Sequence, residues 1–150
     1  MKLDYTFIKA LAIAKKKGGG GGGSSPKTLL EETTTKSYGV TVSKGGGLGV
    51  EIFKLEGLKV GVPARITVKC IATKSLNQAG TGSIGVSERT RIVTTPIATY
   101  ESPGTEIDTE LIFIPTAETM YINLYGVNKG TTGYTFLMQP QAKFKVEQWS

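Results

Sequence analysis

Apolar residues in this chain recur at every second position, in short runs broken by glycine and proline, and that period admits strands and little else. The clearest run is Ile66, Val68, Cys70 and Ala72, with Arg65, Thr67 and Lys69 on the opposite side. Tyr38, Val40 and Val42 alternate in the same way, and Val50, Ile52 and Leu55 follow the Gly45-Gly46-Gly47 turn. Ser83 to Ser87 and Arg91 to Thr95 read as two short strands around Glu88-Arg89-Thr90. Ile107, Thr109, Leu111 and Phe113 continue the pattern, as do Met120, Ile122 and Leu124 beyond the Pro115-Thr116-Ala117-Glu118 turn. Tyr134 to Met138 and Ala142 to Val146 complete it. Turn residues at Gly57, Gly61, Gly80, Pro103-Gly104 and Asn128-Lys129-Gly130 separate the runs. The pattern predicts an all-β fold, an antiparallel β-sandwich of jelly-roll type, over residues 37–150.

The N-terminal segment is different. Leu3, Phe7, Leu11 and Ala14 fall on one stripe at helical spacing, Asp4 sits where an N-cap helps, and Lys15, Lys16 and Lys17 suit a helix C-terminus. Ile8, Ala10, Ala12 and Ile13 widen the apolar surface. A helix over residues 1–17 is too short to be stable alone and needs something to pack against. Ala12-Ile13-Ala14 mimics a secretory cleavage site, but Asp4, Lys9 and the lysine run weigh against that reading. As a membrane anchor the apolar stretch is too short and too interrupted to span. A docking helix fits better, with Leu3, Phe7, Ile8, Leu11 and Ile13 as its anchoring side chains. Gly18 to Gly23 is an unbroken glycine run, followed by Ser24, Ser25 and Pro26, and residues 18–36 read as a flexible linker and lead-in.

Charge follows the same division. The net charge is +6, yet residues 1–27 carry six Lys and one Asp, while the remainder carries nine Lys, three Arg and eleven acidic residues. The β domain is therefore nearly neutral, which argues against nucleic acid as a partner. His is absent and Cys occurs once, at Cys70. That excludes an intramolecular disulfide and the usual zinc site, and it leaves no base to activate a serine or threonine. No cofactor is expected. Gly80-Thr81-Gly82-Ser83-Ile84-Gly85 matches a dinucleotide-binding spacing, but the residues after it are strand-like, so a glycine-rich loop between strands is the better reading. Glu101, Glu106, Asp108 and Glu110 cluster; a catalytic carboxylate pair is conceivable there, and a solvated strand face or a modest cation site is the simpler expectation. Tyr100, Tyr121, Tyr125, Tyr134 and Trp149 are the aromatics available for sugar stacking or an interface. Tyr121 and Tyr125 share the face opposite Met120, Ile122 and Leu124, and with Tyr134 they are the candidate ligand or subunit contacts.

The stretches "LEGLKVGVPARITVKC" (55–70) and "YESPGTEIDTELIFIPTAETMYINLYGV" (100–127) resemble the carbohydrate-binding-module type of jelly roll, including the versions found on virions of tailed phages. The leader "MKLDYTFIKALAIAKKKGGGGGG" resembles the peptides that anchor such fibres on a particle. The resemblance implies a non-enzymatic head-fibre or capsid-decoration subunit at the virion surface, assembled in the host cytoplasm. It would be held on a capsid or other virion protein through residues 1–17 and be a homo-oligomer. The alternative it implies is a carbohydrate-binding module or adhesin with a host glycan as ligand, in a tail fibre or baseplate. The family's sugar sites display several exposed Trp or Tyr, and this chain has one Trp, at position 149.

Overall fold

The computed structural model describes residues 25–150. The helix expected over residues 1–17 and the glycine run lie outside the described residues. From Lys27 onward the chain forms ten strands: β1 Lys27–Thr33, β2 Tyr38–Val42, β3 Gly47–Leu55, β4 Ala64–Lys74 and β5 Gly80–Ser87, then β6 Thr95–Tyr100, β7 Thr105–Phe113, β8 Met120–Asn128, β9 Tyr134–Met138 and β10 Lys143–Gln148. No helix occurs among the described residues.

The pairing is nested. β1 pairs with β10, β2 with β9, β3 with β8, β4 with β7 and β5 with β6, all antiparallel. The chain is thus one long ribbon hairpin whose tip is the β5–β6 loop. Rolling this ribbon brings β4 against both β10 and β9, and β5 against β8. Two sheets result, a six-stranded one centred on β4 and a four-stranded one in the order β3-β8-β5-β6. That winding is a jelly roll.

Inward residues of the two sheets fill the space between them. Ile66, Val68, Ile84, Ile122, Leu124, Phe136, Phe144 and Val146 are fully buried, and each such side chain stabilises the fold by about 1.5–3 kcal/mol. Phe53 and Phe144 meet edge to face at 5.2 Å across the sheets. A bulge at Ile52 keeps Val50, Phe53 and Leu55 opposite Leu124, Ile122 and Met120; strict alternation would have turned Phe53 outward.

Two sequence expectations are corrected. The lead-in assigned to residues 18–36 contains β1, so the sandwich begins at Lys27 rather than at residue 37. Its signal is faint because it is an edge strand with mostly exposed Thr, Glu and Lys; Leu29 and Leu30 alone pack against the core, around a bulge. Arg91 to Thr95 is not a strand. Arg91 has φ +64, and the Thr94 amide and hydroxyl both donate to the Val86 carbonyl (3.1 and 3.0 Å), so the strand starts only at Thr95.

The topology sorts the connections onto two ends. The start of β1, the end of β10, the β3–β4 loop (56–63), the tip loop (88–94) and the β7–β8 loop (114–119) share one end. Gln148 pins the β3–β4 loop there, accepting from the Lys59 amide and donating to the Lys59 and Val62 carbonyls, all at 2.9 Å. The loops 43–46, 75–79, 101–104 and 129–133 share the other end. There the buried Asn128 ties the end of β2 to the 129–133 loop, donating to the Val42 and Thr132 carbonyls and accepting from the Gly130 amide.

Candidate functional site

On the outer face of the four-stranded sheet, Tyr121 and Tyr125 are half-buried and point the same way, as expected. Four residues of strand separate them, about 13 Å. Between them stands Asn123, fully buried, whose amide nitrogen donates to the Arg89 carbonyl at 2.9 Å and the Ile92 carbonyl at 2.7 Å. The tip loop is therefore folded back over the middle of this face. Gly49 and Gly85 make room for it: a Cβ at Gly49 would collide with the Arg91 carbonyl, and one at Gly85 with Val93. The two tyrosines flank the loop instead of forming one platform. Tyr125 lies over Gly47, and Tyr121 sits beside Lys54 and Ser87 in the adjoining strands.

Tyr134 is corrected: it is buried, at 2% exposure, and its hydroxyl donates to the Ala79 carbonyl at 2.7 Å. With Tyr100 and Phe136 it forms an aromatic plug between the sheets, the Tyr134–Phe136 centroids being 5.0 Å apart. The glycine-rich motif explains the plug. Cβ atoms at Gly80, Gly82 and Gly126 would collide with Tyr134, Tyr100 and Phe136 respectively, so these glycines are seats for rings. The expectation of a loop between strands is corrected in detail: the motif lies within β5 itself.

Lys74 closes the same region, and its role was not foreseen. It is 4% exposed, and its ammonium donates to the carbonyls of Gln78, Gly80 (3.3 Å) and Glu101 (2.7 Å) while lying 5.4 Å from the Tyr134 ring centroid. The available signal is parity: Val68, Cys70 and Ala72 point inward, so position 74 does too. Asn123 gives no such signal, because its parity is that of a surface residue.

The acidic residues Glu106, Asp108 and Glu110 are exposed on the outer face of β7, opposite Ile71, Lys69 and Thr67 of β4. Arg65 bridges this strip to β10, 2.9 Å from Glu147 and 3.9 Å from Glu110. It is a charge ladder of the solvated kind, and no group of three or more His, Cys, Asp or Glu among the described residues could hold a metal ion. Trp149 lies at the terminal end, with the Arg65 guanidinium 5.5 Å from its ring centroid. Cys70 is buried as expected, and burial pushes its thiol up to about 11. The anchoring candidates Leu3, Phe7, Ile8, Leu11 and Ile13 lie outside the described residues.

One concavity stands out on the terminal end. A groove of about 630 Å³ runs between the tip loop and the β7–β8 loop. Its lining mixes apolar Val86, Ile92, Phe113, Ile114 and Met120 with six polar residues, among them Glu88 and Arg89. Ile92 is 39% exposed there.

No family model matches the chain, and none of the curated proteins matches it in sequence. In three dimensions it is similar to the viral-particle protein of infectious bursal disease virus, with a TM-score of 0.51 and 11% identity over 84% of this chain and 36% of that one. It also aligns with the carbohydrate-binding module of Cellvibrio mixtus lichenase 5A in complex with cellotriose, at a TM-score of 0.39 and 10% identity, covering 86% of this chain and 89% of that one. A third match is to modules of a Clostridium thermocellum endo-1,4-β-D-xylanase complexed with xylohexaose, at a TM-score of 0.42 and 12% identity over 84% of this chain and 29% of that one. The fold is a jelly-roll β-sandwich. This chain spans little more than a third of the viral protein it resembles.

Proposed function

We propose that this chain is a non-enzymatic virion structural protein, a head-fibre or capsid-decoration subunit held on its particle by residues 1–17. The observation that carries the reading is where the sandwich begins. β1 begins beside the end of β10, with Lys27 opposite Gln148, so the preceding residues depart from one end of the domain. Those residues combine apolar anchors at Leu3, Phe7, Ile8, Leu11 and Ile13 with a glycine run. A self-contained head on a tether is the layout that attachment to a large body requires. The fold likeness to a viral-particle protein supports the reading at the level of fold.

Co-sedimentation of the full chain with assembled particles of the virus that encodes it tests this. The wild-type chain is expected to pellet with the particles, and a Phe7→Asp, Leu11→Asp variant to bind at least tenfold more weakly, since each buried anchor contributes about 1.5–3 kcal/mol. Equal pelleting would remove the leader from the role. The head is further proposed to be a homo-oligomer, for which light scattering should return a multiple of 15.9 kDa.

A second reading, a glycan-binding module or adhesin, rests on Tyr121 and Tyr125, whose rings are partly exposed beside the tip loop. Sugar binding lost on Tyr121→Ala and Tyr125→Ala would favour it; no binding across a broad glycan array would dispose of it.

A further inference from the structure

We propose that the free edge of β7 takes up an extended segment of a partner protein as an added strand, and that this segment alternates basic and apolar residues. The two sheets end in five margins: β1, β2 and β7 in the larger sheet, β3 and β6 in the smaller. Four are blunted in ways that keep edges from pairing. β1 and β3 carry bulges, β6 carries Pro96 and a register shift, and β2 is five residues long. β7 has none of these. Its nine residues pair with β4 in unbroken register and include no proline or glycine.

Which backbone groups β7 leaves free follows from β4. The Gln139 amide donates to the Ile71 carbonyl and the Ser75 amide to the Thr135 carbonyl, both at 2.9 Å. Odd-numbered residues along β4 therefore turn their peptide groups toward β9 and β10. Even-numbered ones turn toward β7, where Cys70, Val68 and Ile66 meet Ile107, Thr109 and Leu111. The amides and carbonyls of Glu106, Asp108, Glu110 and Ile112 thus point away from β4, and no backbone hydrogen bond among the described residues engages them.

The side chains define the occupant. Glu106, Asp108 and Glu110 stand exposed on the outer face of this edge. Among the described residues Glu106 and Asp108 make no ion pair, and Glu110 has only the 3.9 Å contact with Arg65. A second β7 laid antiparallel here would set carboxylate against carboxylate, which disfavours a second copy of this chain at this edge. A strand with Lys or Arg at every second position would set cations opposite all three. Its intervening residues would face the seam between the sheets, where Leu111 of β7 and Ile97 and Ala98 of β6 are apolar and half-buried. The unpaired peptide groups supply the grip, and the carboxylates select the partner. Attachment through residues 1–17 and strand addition at β7 use separate residues, so either stands if the other fails.

Amide exchange in the full chain, followed by NMR, tests the added strand. In the free protein the amides of Glu106, Asp108, Glu110 and Ile112 are expected to exchange about tenfold faster, or more, than those of Ile107, Thr109 and Leu111. Equally slow exchange in both sets would mean that the edge is already covered, by the chain's own leader or a second copy, and would overturn the proposal. A saturating peptide of about eight residues that alternates Lys and Val is expected to slow the four fast amides by about tenfold. Binding that leaves them fast, or no binding at about 1 mM peptide, would overturn it too. A Glu106→Lys, Asp108→Lys chain should bind that peptide about tenfold more weakly and take up one alternating Glu and Val instead. If the variant keeps the wild-type preference, the carboxylates do not select the partner and the proposal fails. The exchange measurement on the wild-type chain decides the matter even if the variant does not fold.

Discussion

Lys74 is the residue on which the far end of the sandwich turns. A buried ammonium is tolerable only when its donors are occupied, and here three carbonyls from the β4–β5 connection, β5 and the β6–β7 connection occupy them. Replacing it with methionine keeps the stem and strands the carbonyls. Lys74→Met is expected to destabilise the domain by about 3 kcal/mol, measured by urea unfolding, from roughly 1–3 kcal/mol for each polar group left unsatisfied. Unfolding indistinguishable from wild type would mean that water satisfies the carbonyls as well as the ammonium does. Cys70 gives the residue scale a pH signature. Its native thiol keeps its proton up to about 11 against an ordinary value of 9.0, because burial disfavours the thiolate. The unfolded chain therefore releases that proton first, and stability is at full value below pH 9 and falls as pH rises toward 11, by about 2–3 kcal/mol. Tyr100, raised by burial and next by the nearby Cys70, continues the loss at higher pH. A Cys70→Ala variant should flatten the pH 9–11 part of the profile, and native Cys70 should react with iodoacetamide at pH 8 only on unfolding.

Among the elements, the tip loop is the one whose conformation is imposed from outside. Residues 88–94 form the turn of the innermost hairpin, yet the Asn123 amide on a neighbouring strand holds the Arg89 and Ile92 carbonyls. Asn123→Leu removes both bonds and is expected to cost about 1–3 kcal/mol. It should also loosen the backbone around Arg89 and Arg91, whose side chains are already exposed, so that limited proteolysis with trypsin nicks the loop well before the strands. Gly49→Ala should give the same nicking by a different route, by pushing the Arg91 carbonyl away. If both variants resist trypsin as wild type does, the loop is held by something other than Asn123. This is also where the sequence is least legible. Period two marked β2, β4, β7, β8 and β9 because each has one buried and one open face, as the run from Ile66 to Ala72 illustrates. It failed for Arg91 to Thr95, where the order comes from an asparagine more than thirty residues away. It failed for β1 as well, where an edge strand has little to bury. The tyrosines divide on the same principle. The facing of Tyr121 and Tyr125 follows from strand parity, whereas the burial of Tyr134 depends on gaps left by Gly80 on another strand.

At the scale of the whole molecule the nested order governs how the fold is reached. Only β5 and β6 are paired through a short local turn; every other pair joins segments further apart, up to β1 with β10. Such a topology has high contact order, and refolding in milliseconds to seconds is expected, measured by stopped-flow fluorescence of Trp149. A submillisecond phase carrying the full amplitude would contradict nested assembly. The core among the described residues is filled by side chains between Leu29 and Val146, and Phe7→Asp, Leu11→Asp is expected to leave the unfolding free energy within about 1 kcal/mol of wild type.

The start of β1 and the end of β10 share one pole, and four loops form the opposite one. The loops 43–46, 75–79, 101–104 and 129–133 crowd there, about 30 Å from the root of the leader, given strands of nine residues. Under the proposed attachment through residues 1–17, a foreign peptide grafted between Asn128 and Tyr134 would face away from the particle. The same peptide fused after Ser150 would be trapped against it. For a display scaffold, the polarity of the jelly roll decides which graft an antibody can reach.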